Sequence, residues 1–297
     1  MMKADVSFLS SGMKLAGHIY TPAARSDGER RPAVVVGHPT TGVKEQTASL
    51  YARRLADAGY IALTFDAAHQ GESEGLPRAL ENPFQRAEDF RSAVTYLSTR
   101  EDVDPERIGV LGICGSGGYA PYAAQTDHRM KAVATVSAAD VPAFFRAADP
   151  EGFAELVAQA GKARTEEAAG GEVRLVPVLP DAVDESTPAP VREFFDYYKT
   201  PRARHERSIG AYALRSADQL DQYDSYAEVR KIAPRPLLMI AGTEAATLPF
   251  SQGAVEQAGP TAELFTVAGA THVDLYDREA AVAPAVAKLV EFFGANL

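Results

Sequence analysis

Residues 112–118 read Gly112-Ile113-Cys114-Gly115-Ser116-Gly117-Gly118 and follow the apolar run Ile108 to Leu111. A strand that doubles back into a helix needs neighbours without bulk, because the backbone returns at close range. The residue at the apex of such a turn projects beyond the sheet. It also sits at a helix N-terminus, where aligned amides favour an anion. Cys114 there is expected to have a lowered pKa and a useful thiolate fraction. The amide of Gly115 would face a developing oxyanion. Two frames are open. Gly112-Ile113-Cys114-Gly115-Ser116 makes Cys114 the nucleophile, and Cys114-Gly115-Ser116-Gly117-Gly118 makes Ser116 the nucleophile. The strand ends just before Gly112, which favours Cys114. A third reading, Cys114 as a small buried residue in an ordinary turn, stays open.

The base expected to serve this thiol is His272, in Gly269-Ala270-Thr271-His272 after the last apolar run. An imidazole base works best when a carboxylate holds its tautomer. The strand Pro236 to Gly242 leads into Thr243-Glu244-Ala245-Ala246-Thr247, where Glu244 is the only carboxylate. Glu45, Asp274 or an insertion residue are its substitutes, and a dyad without an acid is the remaining option. The loop Gly37-His38-Pro39-Thr40-Thr41-Gly42 follows an early strand. Pro39 has no amide, so Thr40 is the better second oxyanion donor. His38 and Tyr119 are candidate pocket residues, with a structural role as the competing reading for His38. Asp66 and His69 are expected to organise the 66–75 loop.

Other chemistries fit less well. The glycine run matches neither G-x-x-x-x-G-K-[ST] nor G-x-G-x-x-G, so no nucleotide cofactor is expected. The six histidines show no H-E-x-x-H or other clustered spacing, so no catalytic metal is expected.

The elements that must position these residues follow from periodicity. Residues 4–9 and 13–20 alternate around Ser11-Gly12 and read as a hairpin. Residues 24–31 read as a polar loop. Ala33–Val36, Ile61–Phe65, Ile108–Gly112, Ala132–Val136, Pro236–Gly242 and Glu263–Val267 are apolar runs of the kind buried on both faces of a sheet. Helical patterns at 45–58, 84–99, after 118 and at 279–293 alternate with them. This order predicts an α/β fold, a mostly parallel sheet flanked by helices. Between residues 140 and 230 the pattern changes to amphipathic segments, such as 151–168 and 190–198, with only a weak strand signal at 173–178. The expected organisation is a core of 1–139 and 231–297 with a helical insertion at 140–230. The insertion is read as a lid over the pocket, with packing bulk or an oligomer surface as the alternative.

Composition sets outer bounds. A chain of 297 residues, 46% hydrophobic, can bury one large core. Its formal net charge of -10 disfavours nucleic acid and anionic membranes as partners. No run of 18 apolar residues predicts a membrane span, and the first residues lack a signal-peptide pattern. One cysteine permits no intrachain disulfide. A cytoplasmic protein acting on a small molecule, with homo-oligomerisation open, is the expectation.

Four segments carry a family resemblance: residues 37–46, residues 65–73 (Phe65-Asp66-Ala67-Ala68-His69-Gln70-Gly71-Glu72-Ser73), residues 107–115 and residues 269–276. Through them the chain resembles the α/β-hydrolases of the dienelactone-hydrolase-like kind, especially bacterial hydrolases with a helical insertion. The resemblance covers about residues 5–295 and is weakest across the insertion. It implies cleavage of an ester, lactone or thioester through an acyl-enzyme, with the elbow cysteine at Cys114 and the base at His272. Acyl transfer or a lyase-type reaction on the same scaffold, or a non-catalytic binding protein, are the alternatives.

Overall fold

The computed structural model describes residues 1–23 and 28–297. The first half of the expected loop at 24–31, residues 24–27, therefore lies outside the described residues. The chain opens with the hairpin β1 (Met2–Ser10) and β2 (Met13–Thr21), turning at Ser11 and Gly12, both at positive φ. Next come β3 (Arg31–Gly37), α1 (Thr47–Asp57), β4 (Ile61–Phe65) and α2 (Pro83–Ser98). The side chain of Asn82 accepts from the amides of Phe84 and Gln85, and Pro83 fills the first helical position, so the start of α2 is doubly specified. The core continues with β5 (Val103–Ile113), α3 (Ser116–Ala124) and β6 (Ala132–Val136).

After the insertion the core resumes with β9 (Leu237–Gly242), α8 (Leu248–Ala258), β10 (Ala262–Val267), the short α9 (Asp274–Asp277) and α10 (Glu279–Asn296). The eight-stranded sheet has the order β1-β2-β4-β3-β5-β6-β9-β10. Only the hairpin is antiparallel to its neighbours; β2 pairs antiparallel with β4, and the strands from β4 to β10 run parallel. Alternate residues of one strand feed two cores, as the two-residue period of a strand requires. Val35 packs with Phe90, Val94 and Leu97 of α2 on one face. Val34 and Val36 pack with Leu55 of α1 and with Leu289 and Phe293 of α10 on the other. Each such side chain contributes about 2 kcal/mol when fully buried. Parallel strands covered on both faces explain why the sequence runs were continuously apolar rather than alternating.

The insertion holds α4 (Val141–Ala148), α5 (Pro150–Ala168), β7 (Leu175–Pro177), α6 (Ala189–Lys199), β8 (Ala211–Ala213) and α7 (Ala217–Asp221). It is therefore not purely helical. β7 and β8 form a separate antiparallel pair, with Val176 opposite Tyr212. β8 is buried, and the Ala213 amide donates to the Ala79 carbonyl at 2.9 Å, which ties the insertion to the core. β7 falls within the weak strand signal at 173–178, whereas the three residues of β8 carry too little periodicity to read ahead of the structure. Among the described residues no helix is long and apolar enough to cross a membrane.

Candidate active site

The turn between β5 and α3 holds Cys114 at φ 54°, a left-handed conformation that costs a residue with a β-carbon. Backbone hydrogen bonds offset that cost. The Cys114 amide donates to the Val136 carbonyl at 3.0 Å, and its carbonyl accepts from the amides of Gly117 and Ala139 at 2.7 and 3.0 Å. A β-carbon at Gly112 would lie 2.0 Å from the carbonyl oxygen of Ser116, and one at Gly115 would lie 2.0 Å from the Thr40 hydroxyl. The turn is thus closed by backbone on one side and by the loop after β3 on the other.

Cys114 faces a cavity of about 90 Å³ lined by Thr40, Thr41, Ala139, Val141, Phe144, Phe145, Val178, Leu179, Phe194, Tyr198, Thr247 and His272. None of these side chains carries a fixed charge. The amides of Gly115 and Thr40 both reach the sulfur, together with the hydroxyl of Tyr276. Even so, the thiol pKa is raised, because burial outweighs the Tyr276 hydroxyl, the two amides and the more distant Arg86. This corrects the expected lowering at a helix N-terminus: the apolar enclosure wins over the amides.

Ser116 does not compete with Cys114 for the cavity. It is buried, and its hydroxyl donates to the His38 carbonyl at 2.6 Å while accepting from Arg86 at 3.4 Å. The expected alternative nucleophile is a tie between two loops. His38 also lies off the cavity. Its Nδ1 donates to the Pro39 carbonyl at 2.7 Å, and its Nε2 accepts from the Ala67 amide at 3.1 Å and from Arg86 at 3.0 Å. Burial and the adjacent guanidinium hold its pKa well below the ordinary value, so the ring is neutral. Tyr119 is likewise turned away from the cavity, donating to Glu81 at 2.9 Å under the Arg86 guanidinium. His38 therefore braces the loop after β3, while Tyr119 ties α3 to Glu81 and Arg86. Asp66 organises its own loop as expected, accepting from the Lys44 and Glu72 amides at 2.8 and 2.9 Å. Lys44 Nζ sits among Glu45, Asp66 and Glu72 at 2.8, 2.8 and 2.6 Å, so the protein itself supplies the positive charge in that acidic group.

His272, between β10 and α9, is buried and presents its ring to the same cavity. Its Nδ1 lies 2.6 Å from the Thr247 hydroxyl, and its Nε2 lies 3.0 Å from the Tyr276 hydroxyl. Phe194 of α6 packs on the ring at 4.9 Å between centroids. Burial alone lowers its pKa to about 3, because neither neighbour carries a compensating charge.

Glu244 is not the partner of this ring. Its side chain is exposed and accepts only from the Thr243 hydroxyl, at 3.4 Å. A turn closed by the Ala245 amide on the Gly242 carbonyl, at 3.2 Å, buries Ala245 and Thr247 and leaves Glu244 outside. The expected substitutes are also engaged elsewhere. Glu45 accepts from Lys44 and Arg207, and Asp274 accepts from the Thr271 amide at 3.0 Å. Glu193 of the insertion reaches Thr271 and the Val273 amide, and burial raises its pKa. Sequence reasoning missed Thr247, Tyr276 and Phe194. The first is a hydroxyl where a carboxylate was sought. The second follows His272 by four residues, near enough along the chain for the two side chains to meet as the turn enters α9.

The comparisons agree with this architecture. The model of the dienelactone hydrolase family matches residues 15–142. The Escherichia coli K12 protein YcjY is 37% identical over 100% of both chains. The crystal structure of PA2218 from Pseudomonas aeruginosa superposes with a TM-score of 0.91 at 34% identity, covering 100% of this chain and 94% of that one. Thiohydrolase aneE of Aspergillus aculeatus is 34% identical over 52% of this chain and 47% of its own length. The chain belongs to the α/β-hydrolase superfamily and is a relative of its dienelactone hydrolase family.

Proposed function

We propose that the protein is a hydrolase that cleaves a carboxylic ester, lactone or thioester through an acyl group carried on Cys114. The observation that carries this reading is the position of the Cys114 sulfur, held at a left-handed turn before the Gly115 and Thr40 amides in a cavity shared with His272. The sulfur attacks the carbonyl carbon as its proton passes to His272. The carbonyl oxygen takes the electron pair and is held by the two amides. When the tetrahedral adduct collapses, the bond to the leaving group breaks and His272 returns the proton to that group. His272 then takes a proton from water, the hydroxide attacks the thioester, and the thiol regains its proton.

A raised thiol pKa and a lowered imidazole pKa make a standing thiolate–imidazolium pair unfavourable. Proton transfer is therefore concerted with attack, and the enzyme favours activated acyl groups over amides. The cavity chemistry narrows the acyl group to a short, uncharged, apolar one, since no side chain there would pair a carboxylate. Val141, Phe144 and Phe145 of α4, with Val178, Leu179, Phe194 and Tyr198, come from residues 140–230, and this supports the lid reading of the insertion. The relative named as a thiohydrolase supports the thioester end of this range.

The test uses p-nitrophenyl acetate and butyrate with matching thioesters. The wild-type chain is expected to turn them over, and Cys114→Ala to lose at least about 1,000-fold in kcat/KM. Full activity in the alanine variant would end the assignment. Added alcohol or amine diverting the acyl group in preference to water would redirect it to acyl transfer.

A further inference from the structure

The structure assigns Tyr276 as the proton link between the Cys114 thiol and His272: its hydroxyl stands between the two and takes part in the reaction. This rests on the acyl-enzyme reading and deepens it. The Tyr276 hydroxyl is 3.0 Å from His272 Nε2, and it lies close enough to the Cys114 thiol for each to shift the pKa of the other. The imidazole nitrogen that would accept the thiol proton is thus already occupied by a hydroxyl that neighbours that thiol. His272 lies four residues before Tyr276, the pair spanning the turn into α9, with ring centroids 5.4 Å apart. Tyr276 is buried, and Tyr197 packs edge-on against it at 5.0 Å between centroids, so the hydroxyl has little freedom to swing away.

The relay balances without any further group. The Sγ–H bond breaks and its proton joins the Tyr276 oxygen. The proton already on that oxygen moves to His272 Nε2, and the sulfur electron pair forms the bond to carbon. Tyr276 begins and ends neutral, so its hydroxyl never has to ionise in an apolar site that raises its pKa well above the ordinary value. The direction requires Nε2 to be the accepting nitrogen, and Nδ1–H then donates to the Thr247 oxygen at 2.6 Å. One hydroxyl therefore fixes the tautomer and the other carries the proton.

The protein has a single cysteine, so intact-mass labelling by iodoacetamide reports on Cys114 alone. At pH 7 the Tyr276→Phe and His272→Gln variants are each expected to label about tenfold more slowly than wild type. The double variant is expected to be no slower than either single one, because the groups act in series. Phenylalanine keeps the ring packing, and unchanged thermal midpoints separate the effect from unfolding. Wild-type labelling in Tyr276→Phe alongside slow labelling in His272→Gln would show direct contact between thiol and imidazole and overturn the relay. Additive losses would overturn it as well. The acyl-enzyme reading fails separately, through ester turnover that survives Cys114→Ala.

Discussion

The two sides of the cavity are built on different principles. On the Cys114 side, the proposed nucleophile side, position is set by backbone. Cys114 is held by three main-chain hydrogen bonds, glycines keep the turn open, and two amides face the sulfur. On the His272 side, the proposed base side, position is set by side chains from distant elements. Thr247 comes from the start of α8, Tyr276 from α9 and Phe194 from the insertion. The first side resembles a die cast by sterics, and the second a hydroxyl-lined seat without a carboxylate. The difference teaches that the two halves of one cavity can be positioned independently, one by backbone sterics and the other by side chains gathered from distant elements. A buried imidazole whose pKa has fallen to about 3 is a weak proton holder but stays neutral, and so remains able to accept a proton across the neutral range.

After the loss expected on replacing Cys114 itself, the next largest effect tests the backbone side. Gly115→Ala places a β-carbon 2.0 Å from the Thr40 hydroxyl and 3.0 Å from Val141, so the Thr40 loop must move. Loss of one aligned oxyanion donor is expected to cost about 100-fold or more in kcat/KM toward p-nitrophenyl butyrate. Labelling by iodoacetamide develops no oxyanion and should change by less than about threefold, because the base side is untouched. Equal losses in both assays would mean that the turn had collapsed and that the two sides are not separable.

That asymmetry also governed what the sequence made legible. Apolar runs with no alternation announced a doubly covered sheet, and the elbow showed itself through the small residues that its sterics demand at Gly112 and Gly115. Ser11-Gly12 marked the hairpin for the same reason. The base side left no such trace. Thr247 is an ordinary loop residue until β9 and β10 bring it beside His272. The lowered thiol pKa expected at Cys114 was wrong because helix-end amides are local and readable, whereas burial depends on the insertion residues that enclose the cavity. His38 and Tyr119 follow the same rule. Each sits next to the site in sequence, yet each is drawn away by partners far along the chain, Arg86 and Glu81.

A second test sharpens the base side. Thr247→Val removes the hydroxyl at Nδ1 with little change of shape and is expected to lower kcat/KM about tenfold, by releasing the tautomer. Thr247→Asp instead installs the carboxylate that the place lacks, which raises the imidazole pKa above about 3. Activity needs the neutral ring and is lost as pH falls through the folded pKa. The acid limb of the rate profile should therefore move to higher pH in the aspartate variant, while turnover at pH 7 to 8 rises by up to about tenfold. An unmoved acid limb would show that residue 247 does not govern this imidazole.

The smallest expected effect is Glu244→Ala. Its carboxylate is exposed, accepts only from the neighbouring Thr243 hydroxyl at 3.4 Å, and stands on the outer side of the turn that buries Ala245 and Thr247. Solvent screens an exposed charge, and neither nitrogen of His272 has it as a partner. The variant should keep kcat/KM within about twofold and an unchanged rate profile against pH, since surface substitutions of this kind shift stability by about 0.5 kcal/mol at most. A drop of tenfold or more would mean that the loop after β9 rearranges in turnover to bring a carboxylate to the ring. The base side would then be a conventional triad at the moment of reaction, and the contrast with the backbone-built nucleophile side would hold for the resting enzyme alone.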